Sequence, residues 1–269
     1  MNKYINKTHI IEALIITIVI IGCFRFTIWF YHYNSNPEKR QSYITKMHVD
    51  DTLRIAYIGD SWAYGHKCHK CAISSILKDR INRPVIVESY GICGLTSKEI
   101  YYALYDLDNF RLFMRKGYNY CFISAGINDT QKKMSTSYYQ HSINCIIHFM
   151  QANNIFPIIL EIPDYNILKV YNELNLRQKI IRQFSMIVNG TRMDCRQQYR
   201  EALDELIKSN NYEERVGIIR YLSWNNDYEN DLKNKYIRDG FHLNEKGYLI
   251  LDSLIAKEIL SNFSYKHRQ

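Results

Sequence analysis

Hydrophobic positions along the chain follow two different patterns. The first is a nearly unbroken apolar stretch, residues 10–31, in which only Thr17 interrupts the run from Ala13 to Phe24. The second begins near residue 51, where short apolar runs of strand length alternate with segments of helical periodicity. Runs at 53–58, 84–90, 118–124, 155–161 and 216–221 read as strands, and patterns at 72–82, 97–107, 138–153, 173–188 and 194–209 read as helices. In the last helix Asn244 is the expected N-cap, and Leu249, Ile250, Leu254 and Ile255 form its apolar stripe. Strands alternating with helices predict a mostly parallel five-stranded sheet covered on both faces, one three-layer α/β/α domain. The helical pair around Asn189-Gly190 elaborates it.

The amino-terminal stretch is long enough for a membrane, since about 20 apolar residues cross a bilayer core. Glu12 and Arg25 lie near its ends, and Trp29, Tyr31 and Tyr33 resemble an interfacial belt. Three readings follow. The segment is an uncleaved signal anchor, or a lipoprotein signal in which Ile20-Ile21-Gly22-Cys23 is the lipobox and Cys23 the lipidated residue, or a buried amphipathic helix. The apolar flank at 24–30 is a poor tether for a lipoprotein, which favours the anchor. Lys3 and Lys7 precede the segment while Lys39 and Arg40 follow it, so basic residues leave the orientation open, with the extracytoplasmic side preferred for the domain. Residues 1–33 are thus assigned to an anchor, 34–50 to a polar linker and 51–269 to the catalytic domain.

Composition narrows this little. With 269 residues, 46% hydrophobic and 23% charged, the chain buries a full core without disorder. A net charge of +8 is spread out, with no arginine-rich arm or aromatic-basic interleaving. It fits an acidic membrane surface or an anionic glycan rather than nucleic acid.

Chemistry concentrates where apolar runs stop. The first strand ends at Gly59-Asp60-Ser61, leaving a hydroxyl where open α/β sheets bind ligands. A serine nucleophile needs a base, and the base an orienting carboxylate. Asp239-Gly240-Phe241-His242, just before the final helix, supplies both. The second strand leads into Gly91-Ile92-Cys93-Gly94, whose glycines let a backbone N–H approach a ligand, and the third into Gly126-Ile127-Asn128-Asp129, which offers a side-chain amide. Each stretch alone reads equally as a turn.

Together these four blocks resemble the SGNH (GDSL-like) hydrolases, over roughly residues 53–260. The resemblance implies a flavodoxin-like fold, with Ser61 as nucleophile, His242 as base and Asp239 as its partner. It likewise implies an oxyanion hole from the Ser61 and Gly94 backbone N–H groups and the Asn128 side chain. Trp62 departs from the aliphatic residue common in the family and is expected to shape the pocket wall. Trp224, in the loop before Asp239, is read as lining the substrate cleft or packing in the core.

Among the seven cysteines, His66-Lys67-Cys68-His69-Lys70-Cys71 contains a Cys-x-x-Cys with two histidines. A zinc site needs about four ligands, and no second Cys/His pair of suitable spacing follows, so no metal is assigned. Cys93, Cys121 and Cys145 read as core residues. The expected function is a membrane-tethered serine esterase that removes small acyl groups, O-acetyl above all, from carbohydrate, without a cofactor. Its rivals are an acyltransferase, a lipid esterase or thioesterase using the same residues, and a non-catalytic, membrane-anchored glycan-binding module.

Overall fold

The computed structural model describes residues 7–69, 71–224 and 227–266; Lys3 lies outside the described residues. The chain divides into two compact units, residues 1–35 and 36–269. The first consists of helix α1 (Lys7–Asn34). An 18-residue window within His9–Asn34 has a mean hydropathy of 2.2, and by length and composition the helix can cross a membrane. Only 6% of that span is buried, unlike the core helix of a globular domain.

The second unit runs β1 (Leu53–Gly59), α2 (Ser61–His66), α3 (Ile73–Ile81), β2 (Val85–Gly91), α4 (Ser97–Asp106), α5 (Asp108–Arg115), β3 (Tyr120–Ser124), α6 (Ile127–Lys132) and α7 (Thr136–Ala152). It continues with β4 (Phe156–Leu160), α8 (Ile167–Asn172), α9 (Leu176–Asn189), α10 (Arg196–Ser209), β5 (Gly217–Ile219), α11 (Tyr221–Trp224), α12 (Tyr228–Asn234) and α13 (Glu245–Lys266). The strands lie in the order β2-β1-β3-β4-β5, and each neighbouring pair is parallel. All five expected strands are present. The last is short because the Tyr221 backbone N–H donates to the Glu161 carboxylate at 2.7 Å, which turns the chain out of the sheet.

Both faces of the sheet are covered, which is why β1 is apolar along nearly its whole length. Successive side chains alternate between faces. Ile55 and Tyr57 pack with Leu77 of α3 and Leu251 and Ile255 of α13, whereas Ala56 and Ile58 pack with Leu104, Ile146 and Leu203 of α4, α7 and α10. Because the chain passes from β1 outward to β2 and then back to β3, a crevice opens at the carboxyl ends of these three strands.

Several elements escaped the periodicity. Leu107, with φ −100° and ψ 113°, ends α4 where the expected helix ends and starts α5, a helix the periodicity did not indicate. The six-residue helices α2, α6 and α8 are too short to show a helical repeat. Cys93 is exposed rather than in the core, while Cys121 and Cys145 are buried as expected, and all seven thiols are free.

Residues 36–50 correct the linker assignment. They hold no helix or strand, yet they are fastened along the globular unit. Tyr43 packs its ring 5.0 Å from Phe149 and 5.8 Å from Tyr105, and its hydroxyl donates to Leu104 O at 3.0 Å. The Thr45 N–H donates to Asn153 Oδ1 at 2.8 Å, and the Lys46 N–H to Arg115 O at 3.1 Å. Polar composition made this strap look like a tether. Tyr43→Ala is expected to cost about 2–3 kcal/mol of stability and Tyr43→Phe about 1 kcal/mol. Urea denaturation of the two variants checks this, and a free tether would show no loss in either.

Candidate active site

Gly59 closes β1 with φ +147°, and an added Cβ would lie 2.0 Å from Ser124 O. Glycine here lets the end of β1 press against the end of β3, so that the Asp60 N–H donates to Ser124 O at 3.2 Å. Asp60, fully buried, caps α2. Its Oδ1 accepts from the Trp62 N–H at 3.0 Å and from the Ser124 hydroxyl at 3.3 Å, while Oδ2 takes a longer contact of 3.4 Å from the Asn128 amide. Burial pushes the Asp60 carboxyl up to about 7, against these hydrogen bonds. Ser61 follows as the first residue of α2, only 7% exposed.

The far end of the chain brings His242 to Ser61. An antiparallel bridge between Tyr236 and Leu243, with the Ile237 N–H donating to His242 O at 2.9 Å, folds residues 236–243 into a tight loop. Gly240 turns it at φ +67°. Inside the loop Asp239 Oδ1 accepts the backbone N–H groups of Phe241 and His242 at 2.8 and 2.9 Å. Its Oδ2 lies 2.6 Å from His242 Nδ1. Burial opposes the charge on Asp239, but the His242 side chain and the two backbone N–H groups outweigh it and hold the carboxyl below its ordinary value. His242 Nε2 then reaches Ser61 Oγ at 3.0 Å. The three side chains form one continuous hydrogen-bonded chain.

Gly94, exposed and at φ +80°, has open space where a Cβ would be, and so presents bare backbone. Asn128 is 6% exposed and its amide donates to Leu95 O at 3.0 Å. The two loops are tied together again one residue further on. Buried Asp129 accepts from the Ser97 N–H at 2.8 Å and from the Ser97 hydroxyl. Burial raises Asp129 to about 6 while Ser97 lowers it. Ser97, Ser124 and Leu95 O carried no motif, and only the fold shows that they set the glycine and asparagine loops.

Trp62 is placed differently from the expectation, and Trp224 takes the core alternative. Trp62 and Trp224 are both 0% exposed and pack against each other with ring centroids 5.8 Å apart. Neither offers surface to a substrate. Trp62 instead donates its indole N–H to Phe241 O at 3.2 Å, next to His242. Trp224 donates to the Tyr236 hydroxyl at 3.2 Å.

A sequence model of the GDSL-like lipase/acylhydrolase family matches residues 57–250, well over half of the chain. The chain belongs to the GDSL-like lipase/acylhydrolase family. It is therefore an ester hydrolase by family, and its fold is that of SGNH hydrolases. Among solved structures it is similar to a lipase/acylhydrolase from Enterococcus faecalis, with a TM-score of 0.53 and 16% identity over 77% of this chain and 95% of that one. An acetyl xylan esterase aligns with a TM-score of 0.52 and 17% identity over 76% and 98%. A lipase from a goat rumen metagenome aligns at 0.53 and 12% over 77% and 97%. No curated protein matches the chain.

The buried Asp60 carboxyl gives a pH test. Its folded value of about 7 lies above the ordinary 3.8, so between those values the folded state binds a proton that the unfolded state has lost. Stability from this group is therefore present below pH of about 4 and falls as pH rises toward 7. Chemical denaturation from pH 4 to 7 is expected to show this downward contribution in the wild type and not in Asp60→Asn. Parallel profiles would exclude Asp60 as its source.

Proposed function

We propose that this hydrolase is a membrane-tethered serine esterase that releases small acyl groups, O-acetyl above all, from carbohydrate. The supporting observation is the hydrogen-bonded chain Ser61–His242–Asp239 at 3.0 and 2.6 Å, on a half-buried imidazole at the strand ends. His242 takes the Ser61 proton as Oγ attacks the ester carbonyl, and returns it to the leaving alkoxide. Water, deprotonated by the same imidazole, then resolves the acyl-enzyme. Asp239 keeps the proton on Nδ1, so that Nε2 faces Ser61 as the acceptor, and its charge favours the imidazolium that forms.

The negative oxygen of the tetrahedral intermediate is assigned to the Ser61 and Gly94 N–H groups and the Asn128 amide. Donors of this kind contribute about 10²–10³-fold each, and general-base catalysis about 10²–10⁴-fold. Asp60 caps the helix that Ser61 begins by accepting the Trp62 N–H, and one Asn128 amide hydrogen is anchored on Leu95 O, so both groups are oriented before substrate arrives. The second amide hydrogen leaves its long 3.4 Å contact with Asp60 for the oxyanion. The acetyl xylan esterase among the structural neighbours supports an acetylated sugar as substrate. Apolar α1 supports the tether.

Ser61→Ala is expected to lower turnover of an acetyl ester by at least about 10⁴-fold with an unchanged melting temperature. His242→Ala should match it, and Asp239→Asn should lose as much or less, because the three act as one unit. A fluorophosphonate should label the wild type and not Ser61→Ala. Full activity in a folded Ser61→Ala would end the serine mechanism, and acetate release from acetylated oligosaccharides but not from lipid esters would support the carbohydrate assignment.

The tether is tested separately by carbonate extraction of membranes. The full chain is expected in the pellet and a chain lacking residues 1–35 in the soluble fraction. Soluble full-length protein would remove the anchor.

A further inference from the structure

A second histidine–aspartate pair lies at the other end of α2. His66, the last residue of that helix, is 2% exposed, and Asp252 of α13 is fully buried. His66 Nε2 is 2.8 Å from Asp252 Oδ1, across 186 residues of sequence. Half-buried Cys71 completes the group: one ligand-type atom from each of His66, Cys71 and Asp252 lies within 4.8 Å of the others. Sequence spacing offered the histidines and cysteines of this loop but no further ligand. The fold adds a third, Asp252, from the final helix.

We propose that His66, Cys71 and Asp252 bind a zinc ion. One imidazole nitrogen, one thiolate and one carboxylate oxygen form a donor set of borderline softness that suits zinc. Around a tetrahedral zinc with bonds of about 2.0–2.3 Å, such donors lie about 3.3–3.6 Å apart. The present separations, from 2.8 Å to within 4.8 Å, bracket this range. Metal-bound histidines and carboxylates are held by outer hydrogen bonds, and both holds are already built. His66 Nδ1 lies 2.6 Å from the Ser89 hydroxyl, and Asp252 Oδ2 accepts the Ala72 N–H at 2.7 Å. On binding, Cys71 releases its thiol proton to solvent. His66 places its remaining proton on Nδ1, donating to Ser89, and turns the Nε2 lone pair toward the metal. Solvent reaches the group through a cavity of about 560 Å³ lined by His66, His69 and Cys71.

Solvent from the cavity would fill the fourth position, and the role of the ion would be to tie elements together, away from Ser61. It would pin the loop between α2 and α3 to α13, at the end of α2 opposite Ser61.

The experiment uses the full chain in detergent, stripped with chelator and titrated with zinc chloride by calorimetry. One equivalent is expected to bind and to raise the melting temperature. Cys71→Ser is expected to weaken zinc at least 10-fold, whereas Cys68→Ser and Ser61→Ala keep full affinity. Cobalt is expected to give a thiolate charge-transfer band in the wild type that Cys71→Ser abolishes. Cys71 is only half-buried, so its serine variant is expected to fold even if Asp252→Asn does not. Absence of saturable one-to-one binding, unchanged affinity in Cys71→Ser, or an equal loss in Cys68→Ser would each overturn the assignment. Ser61→Ala keeps this result independent of the esterase mechanism.

Discussion

One buried carboxylate holds the proposed reaction centre together. Asp60 has no contact with water, and its two oxygens collect donors from the backbone after β1, from the end of β3 and from the loop beyond it. An unpaired carboxylate in this position would cost several kcal/mol. Each donor is therefore held in place by the others. The pressure of β1 on β3 at Gly59 makes the arrangement possible, because any side chain there would meet Ser124 O. Ser61 inherits its position from that contact and from the helix that Asp60 caps.

The two ends of the chain meet through Trp62. Its indole N–H holds the carbonyl of Phe241, and its own carbonyl accepts the Tyr248 hydroxyl at 3.1 Å. Gly65 lies against the same tyrosine, with no room for a Cβ beside the Tyr248 hydroxyl. A residue that departs from the family's usual aliphatic choice thus links the helix carrying Ser61 to the loop carrying His242. It does so from inside the core.

Much of the fold was legible because a parallel sheet buried on both faces writes long apolar runs, and because the first three end in glycine or serine where the chain must turn. Ser61 and Asn128 stand out as candidates for that reason, and Asp239 and His242 by their place before the final helix. Burial of Trp62 and Trp224 could not, since an indole beside a catalytic motif reads the same whether it faces the cleft or the core. The strap at 36–50 was misread because it makes its contacts through backbone N–H groups and scattered side chains (Arg40, Tyr43 and His48), which leave no periodicity. Asp252 was invisible as a partner of His66, because that pairing exists only once α13 has docked beside α2. Cys93 looked like a strand residue, yet β2 stops at Gly91 and the cysteine falls on the exposed loop.

The docking of α13 bears on how the protein opens. Local unfolding proceeds in cooperative units, whose members share their contacts rather than their place in sequence. Helix α13 touches α2 through Tyr248 and again through Asp252, while Asn244, its N-cap, holds the loop of His242 through Asn234 O and Tyr236 O at 3.0 and 3.2 Å. Fraying of the carboxyl-terminal helix therefore releases the imidazole and the serine helix in the same event. The amides of both segments should then exchange with solvent at one common free energy, and no partly opened state should retain half of the reaction centre.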